Sequence, residues 1–236
     1  TGALDSGAVY VYKRTGSTWA QEAYIKAANS DVYDQFGSSV SLDQDTIAVG
    51  ARYEDSSQTT ITNGTTVPGT TGATDSGAVY VYKRSGSTWA QEAYIKAANS
   101  DTSDHFGQSV SLDQDILAVG AYYEDSTQTT ITNGTTASGT TGAAGAGAVY
   151  VYKRTGGNWA QEAYIKAANS DAGDYFGDSV SIDQDTLAVG ARFEDSSQTT
   201  ITNGTTAPGT TGADNSGAVY VYKRTNTLVP GTATNP

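Results

Sequence analysis

The sequence predicts an all-β fold, a β-propeller-like array of four-stranded antiparallel blades that is incomplete within this chain, and three observations predict it. The chain repeats every 70 residues: Trp19, Trp89 and Trp159 recur at that interval, as do Phe36, Phe106 and Phe176, and GAVYVYKR begins at Gly7, Gly77, Gly147 and Gly217. Each period holds four short runs of β-branched and aromatic residues bounded by Gly, Asp, Asn and Ser. Helical periodicity is absent except, weakly, in WAQEAYIKAA, whose Ala, Glu and Lys favour a helix on intrinsic propensity. The copies are near duplicates, since the stretches starting at Trp19 and Trp89 differ at only 16 of 70 positions.

The first run, FGSSVSLD at 36–43, alternates small Ser with Val40 and Leu42, which suits a crowded innermost strand. TIAVGA, 46–51, is almost wholly apolar, as expected of a strand covered on both faces. GAVYVYKR, 77–84, sets Ala78, Tyr80 and Tyr82 on one face and Val79 and Val81 on the other, again two buried faces. WAQEAYIKA, 89–97, sets Trp89, Gln91, Ala93, Ile95 and Ala97 against Glu92, Tyr94 and Lys96, and reads as the more polar edge strand. Four strands running from inner to outer describe a propeller blade. A single array then spans 1–224, with a partial blade at 7–27, whole blades at 36–97 and 106–167, and a partial blade at 176–224. The remainder, 225–236, reads as a flexible C-terminal tail.

DQFG, AVGA and GAVYVY occur in fixed order, and together with WAQEAYIKA they resemble the FG-GAP repeat of integrin α-chain propellers. They are more similar still to the bacterial-type FG-GAP repeats of secreted and surface proteins. The resemblance covers essentially the whole chain. It implies a β-propeller, extracellular, that serves recognition or adhesion rather than catalysis.

Two departures from the family pattern bear on function. Integrin-type blades place a calcium loop of the D-x-D-x-D-G kind between the first two strands, a tight turn gathering about six to eight oxygens. Here that position holds only Asp43 and Asp45, Asp113 and Asp115, and Asp183 and Asp185, with no following Gly. A hairpin turn and a calcium site both stay open there. A second acidic pair precedes each Phe, namely Asp31 and Asp34, Asp101 and Asp104, and Asp171 and Asp174, and fits either an Asx-type turn or calcium. The other departure is a long insertion, 54–75, between the second and third strands. Its centre, TTITNGTT, reads as a small hairpin around Asn63-Gly64 in a type I′ turn. Asn63, Asn133 and Asn203 each head an Asn-Gly-Thr glycosylation tripeptide, although the turn alone explains the Asn-Gly pair.

In a four-stranded meander the connection from second to third strand and the connection between blades emerge on the same face. The insertion and the Asp31/Asp34 loop are therefore neighbours, and the opposite face carries short turns such as RTGST, 14–18. Long exposed loops on a rigid scaffold carry binding, so the insertion-bearing face is the expected site.

Composition sets further bounds. Asp and Glu outnumber Lys and Arg by 25 to 13, a net charge of −12, which argues against nucleic acid or an anionic membrane as partner. With no Cys there is no disulfide, thiolate metal site or cysteine nucleophile. No apolar run is long enough for membrane insertion. The single histidine, His105, is replaced by Gln35 and Tyr175 in the neighbouring copies and reads as loop variation rather than a general base. Glu54/Asp55, Glu124/Asp125 and Glu194/Asp195 recur in step, which fits a structural role better than one asymmetric active site.

Propellers close with about four to eight blades, more than this chain supplies. It opens TGALDSG, without initiator Met or signal-peptide pattern, and so reads as a processed or excerpted piece. Three readings stay open: a fragment of a longer propeller, a subunit whose last blade accepts a strand such as 19–27 from a neighbouring copy, and an open stack of sheets. Strand acceptance would build a ring or a filament, and interchangeable copies favour such an array or multivalent adhesion. The expected function is non-enzymatic adhesion or recognition at the cell surface or outside the cell, with a protein or glycan ligand. The alternative is a structural subunit whose partners are copies of itself.

Overall fold

The computed structural model describes residues 3–67, 69, 71–207, 209 and 212–224; the expected tail at 225–236 lies outside them. Every regular element among the described residues is a β-strand. β1 (Val9–Thr15) pairs with β2 (Thr18–Ile25). β3 (Ser39–Asp43), β4 (Thr46–Ala51), β5 (Ile61–Asn63), β6 (Ala78–Ser85) and β7 (Thr88–Ile95) form one sheet in the order β3-β4-β6-β7-β5. The pattern recurs in β8 (Ser109–Asp113), β9 (Ile116–Ala121), β10 (Thr132–Asn133), β11 (Ala148–Thr155) and β12 (Asn158–Ile165), ordered β8-β9-β11-β12-β10. β13 (Phe176–Asp183), β14 (Thr186–Ala191) and β15 (Ala218–Lys223) form the last sheet. All strand pairs are antiparallel. The fold is therefore all-β, built of propeller-type blades, and the described residues do not close into a ring.

The small serines of the inner strand join blade to blade. Ser39 Oγ donates to the Gly107 carbonyl at 2.7 Å, and Ser41 Oγ accepts from the Leu112 amide at 2.9 Å. Ser109 and Ser111 repeat both bonds to Gly177 and Ile182. Strand two comes so close that a Cβ on Gly50 would overlap the Gly107 carbonyl oxygen, and one on Gly120 the Gly177 carbonyl oxygen. In the first two full blades the inner strand starts at Ser39 and Ser109, not at the Phe. Gly37 and Gly107 break the ladder there at φ of +94° and +90°. Each Phe instead bonds back to the preceding blade: the amides of Phe36, Phe106 and Phe176 donate to the carbonyls of Ser6, Ser76 and Ala146. The Phe rings are buried edge-on against Tyr80, Tyr150 and Tyr220, at 5.3 Å between centroids in every copy.

Two expectations about the outer half of the blade need correction. Strict alternation along WAQEAYIKA fails because a bulge intervenes: Val81 pairs with Ala93 but Tyr82 pairs with Gln91, leaving Glu92 unpaired. The bulge turns Glu92 toward the next blade, where it meets Arg154 Nη1 at 2.9 Å and Trp159 Nε1 at 3.0 Å. The insertion centre is not a self-contained hairpin either. Ile61–Asn63 adds to the outer strand as a fifth strand, pairing Ile61 with Ile95 and Asn63 with Ala93. Only Gly64 of the Asn-Gly pair has positive φ, so no type I′ turn forms. Pairing with β7 covers an edge that would otherwise be open, which is why Tyr94, Ile95 and Lys96 are buried rather than polar rim.

Candidate recognition face

The insertion and the blade linkers meet at one end of the blades, around a buried carboxylate. Glu124 accepts from Lys166 Nζ at 2.9 Å, Tyr164 Oη at 2.9 Å, Ser126 Oγ at 3.1 Å and Asn99 Nδ2 at 2.9 Å, and Asn99 is itself held by Tyr150. Lys166 and Glu124 side chains are essentially inaccessible. Lys96 and Glu54 repeat the pair at 3.1 Å, with Asn29, Ser56 and Tyr94 around them. Burial pulls both lysines below the ordinary lysine range, against the opposing pull of the glutamates. The network ties the start of the insertion, the end of the outer strand and the preceding linker into one knot. A buried ion pair so satisfied is costly to break from either side.

The predicted acidic positions fall into two groups. Asp34, Asp104 and Asp174 are buried, and each accepts the amide three residues before it, from Asp31, Asp101 and Asp171 at 2.7, 2.8 and 2.9 Å. Burial lifts Asp104 to about 8 and Asp34 and Asp174 to about 6, although the amide bond pulls each down and neighbouring carboxylates add to the rise. Asp31, Asp34, Glu54 and Asp55 line a cleft of about 50 Å3 beneath the returning insertion, so the linker and the insertion are neighbours. On the opposite face, Asp43 and Asp113 accept the amides of Gln114 and Gln184 in the next blade. Asp45 and Asp115 hold Arg84 and Arg154, and Asp185 faces Lys223 at 3.5 Å.

Among the described residues no group of three or more His, Cys, Asp or Glu side chains stands placed to hold a metal. In the first two turns the carboxylates diverge, one to the next blade and one to an arginine, so that donor set does not fit the calcium loop that the family resemblance implies. Of the Asn-Gly-Thr asparagines, Asn63 uses its side chain to bridge blades, accepting from the Trp159 amide at 2.8 Å and donating to the Trp159 carbonyl at 3.3 Å. A sugar on that nitrogen would break the bridge. Asn133 and Asn203 are exposed.

Beside this knot lies a patch that the sequence reading missed. Tyr53, His105, Tyr122, Tyr123, Tyr175 and Phe193 form an unbroken row of ring contacts across three sheets, with centroids 4.5 to 5.3 Å apart. Arg52 lies over Tyr53 at 4.6 Å, and Arg192 over Phe193 at 4.8 Å. His105 is thus a ring in a cluster, pushed down to about 4 by burial and then by Arg52. A signal for the patch was present: comparing 19–84, 89–154 and 159–224, all three copies differ at the columns of Val32, Tyr33, Gln35, Ser38, Thr74 and Asp75 alone. The columns lie in the linkers, at the start of the inner strand or at the end of the insertion, and linker and insertion columns meet in space. The amides of Ser103 and His105 donate to the carbonyls of Thr74 and Asp75, and those of Gly173 and Tyr175 to Ala144 and Gly145.

Blades of this design, stacked through an FG linker and a glycine-bearing second strand, define a repeat protein of propeller type. The family model described as FG-GAP repeat matches residues 19–82, 89–152 and 159–222, well over half of the chain. The chain belongs to the FG-GAP repeat family. Curated proteins give no significant match. Among the described residues no helix is long and apolar enough to cross a membrane.

Proposed function

We propose that the array is a non-enzymatic recognition module that acts in adhesion at the cell surface or outside the cell and binds through its insertion-bearing face. One observation carries this reading: copies that are otherwise near duplicates diverge three ways only on that face, where the divergent positions of adjacent blades touch. A scaffold repeated unchanged, with a rim that varies, presents a distinct surface to a partner. A non-catalytic role is supported by the sole histidine being packed among tyrosines and by the buried glutamates being engaged with lysine, asparagine and serine. To test it, beads coated with the chain are offered to glycan and protein arrays. Binding should be lost in a Tyr53→Ala/Tyr123→Ala variant and kept in Ser87→Glu on the opposite face. Loss in Ser87→Glu alone, or no ligand on either array, would sink the reading.

A second reading, self-assembly by strand exchange, draws on the ends of the array. Among the described residues Glu194 contacts Asn169 and Ser196 but no lysine, whereas Lys26 contacts Ser6 and the Gly7 carbonyl but no carboxylate. β1 and β15 share the sequence VYVYK, so β2 of a second copy could exchange one for the other and bring Lys26 to Glu194. Light scattering decides: a monodisperse monomer at high concentration rules this out.

A further inference from the structure

We infer that the aromatic and arginine rim docks an acidic segment of a partner protein, whose carboxylates meet Arg52 while its apolar parts lie across the tyrosines. This rests on the recognition reading and narrows it to one ligand class.

Arg52 carries the argument. Arg84, Arg154 and Arg224 each pair with a glutamate of the preceding blade, Glu22, Glu92 and Glu162. Arg52 instead donates to two neutral amides from consecutive linkers, Gln35 at 3.1 Å and Gln108 at 3.0 Å, and stacks on Tyr53. Among the described residues no carboxylate lies in ion-pair range of it, in a chain that holds 25. Two of its five donors are thereby engaged and the fork is held in place, the arrangement that suits a bidentate carboxylate. Arg192, by contrast, already faces Asp178 at 3.6 Å.

The surface around Arg52 has the composition of binding hot spots, rich in tyrosine and arginine. Arg52 and Tyr53 are half-buried, and the row of rings leading away from them is open, with Tyr123 and, at its far end, Phe193 still 37% and 36% exposed. Net charge elsewhere on the chain is negative, but at physiological ionic strength screening acts within about 8 Å, so a docked segment feels the guanidinium rather than the whole molecule. Divergence between blades selects a protein over a polysaccharide. A polymer with a repeating unit would be matched by repeated identical sites, whereas Gln35, His105 and Tyr175 offer three different side chains in sequence to a non-repeating ligand.

The probe is a displayed library of random linear peptides panned on the folded chain, with enriched peptides then titrated by fluorescence anisotropy. Enriched sequences should carry two or more carboxylates. Arg52→Gln and Tyr123→Ala should each weaken binding by about tenfold or more, the size expected of a lost charged hydrogen-bonded pair or an aromatic anchor, with Ser87→Glu unchanged. Neutral or basic winners, no winners, or equal binding to Arg52→Gln would overturn the inference. The recognition reading survives those results if a polysaccharide array yields a ligand that Tyr123→Ala loses, and fails if neither probe does.

Discussion

Tyr123 and Glu124 are neighbours in the chain and opposites in role. Glu124 points inward to Lys166, Tyr164, Ser126 and Asn99; the lysine pair recurs at Glu54, and the asparagine and serine bonds recur at both Glu54 and Glu194. Tyr123 points to the rim, where it meets His105 and Tyr175, residues that no other copy repeats. The same division separates Asp104 from His105 and Asp34 from Gln35. Invariance between the copies therefore marks the buried brace, and three-way divergence gathers at the rim, with the boundary drawn between consecutive residues at Asp104/His105 and Asp34/Gln35.

The largest effect should come from the brace. Glu124→Gln leaves Lys166 buried without its counter-charge and should cost about 3–5 kcal/mol, or roughly 10 °C in Tm for a chain of this size. Glu194→Gln should cost clearly less, because no lysine contacts Glu194 among the described residues. Denaturant melts of the two variants side by side would break the comparison if they fell equally.

Blade stacking comes next. Gly120→Ala drives a methyl into the Gly177 carbonyl, backbone that cannot swing aside, and should cost about 1–3 kcal/mol by chemical denaturation. Glycines at turn tips such as Gly86, with open space around the missing Cβ, provide the contrast in crowding.

Asp104 gives the brace a pH signature. Its carboxyl holds a proton to about 8 when folded and releases it near 3.8 when unfolded, so the folded state binds more protons across that window. Stability contributed by this group is greatest below about pH 4 and falls as pH rises toward 8. Asp104→Asn stays neutral, so its Tm should decline less between about pH 6 and 8, while Asp34 and Asp174, lifted to about 6, contribute alike to both chains. A difference of about 4–8 °C, the equivalent of about 2 kcal/mol at this length, is expected in melts at the two pH values. A smaller loss, about 1 kcal/mol, should follow Asn63→Ala, which removes the bridge from β5 to Trp159.

Much of the blade was legible because its strands are local patterns. The 70-residue period, the apolar TIAVGA and the twin-faced GAVYVYKR mark their strands without help from distant residues. The alternating serines announced a crowded inner strand, though not that their hydroxyls would bond to the next blade. What stayed hidden depends on contacts far apart in sequence. Ile61–Asn63 becomes a strand only because β7 offers it an edge, and Glu92 leaves the ladder at a bulge that places it beside Arg154. In isolation the turn carboxylates fitted a hairpin turn or an ion site alike, because the amides and arginines that hold those of the first two full blades are supplied by other strands and blades. The rim was overlooked for a different reason: the substitution of His105 by Gln35 and Tyr175 reads as noise until the fold places these positions beside Arg52, Tyr122 and Tyr123.

The most direct test substitutes the two adjacent residues one at a time, Glu124→Gln and Tyr123→Ala, and compares their thermal unfolding with that of the native chain. The division into brace and rim predicts a fall of about 10 °C for Glu124→Gln and no more than about 2 °C for Tyr123→Ala, the ordinary range for a surface position. Equal falls, or a larger one for Tyr123→Ala, would make the rim part of the scaffold and contradict the account.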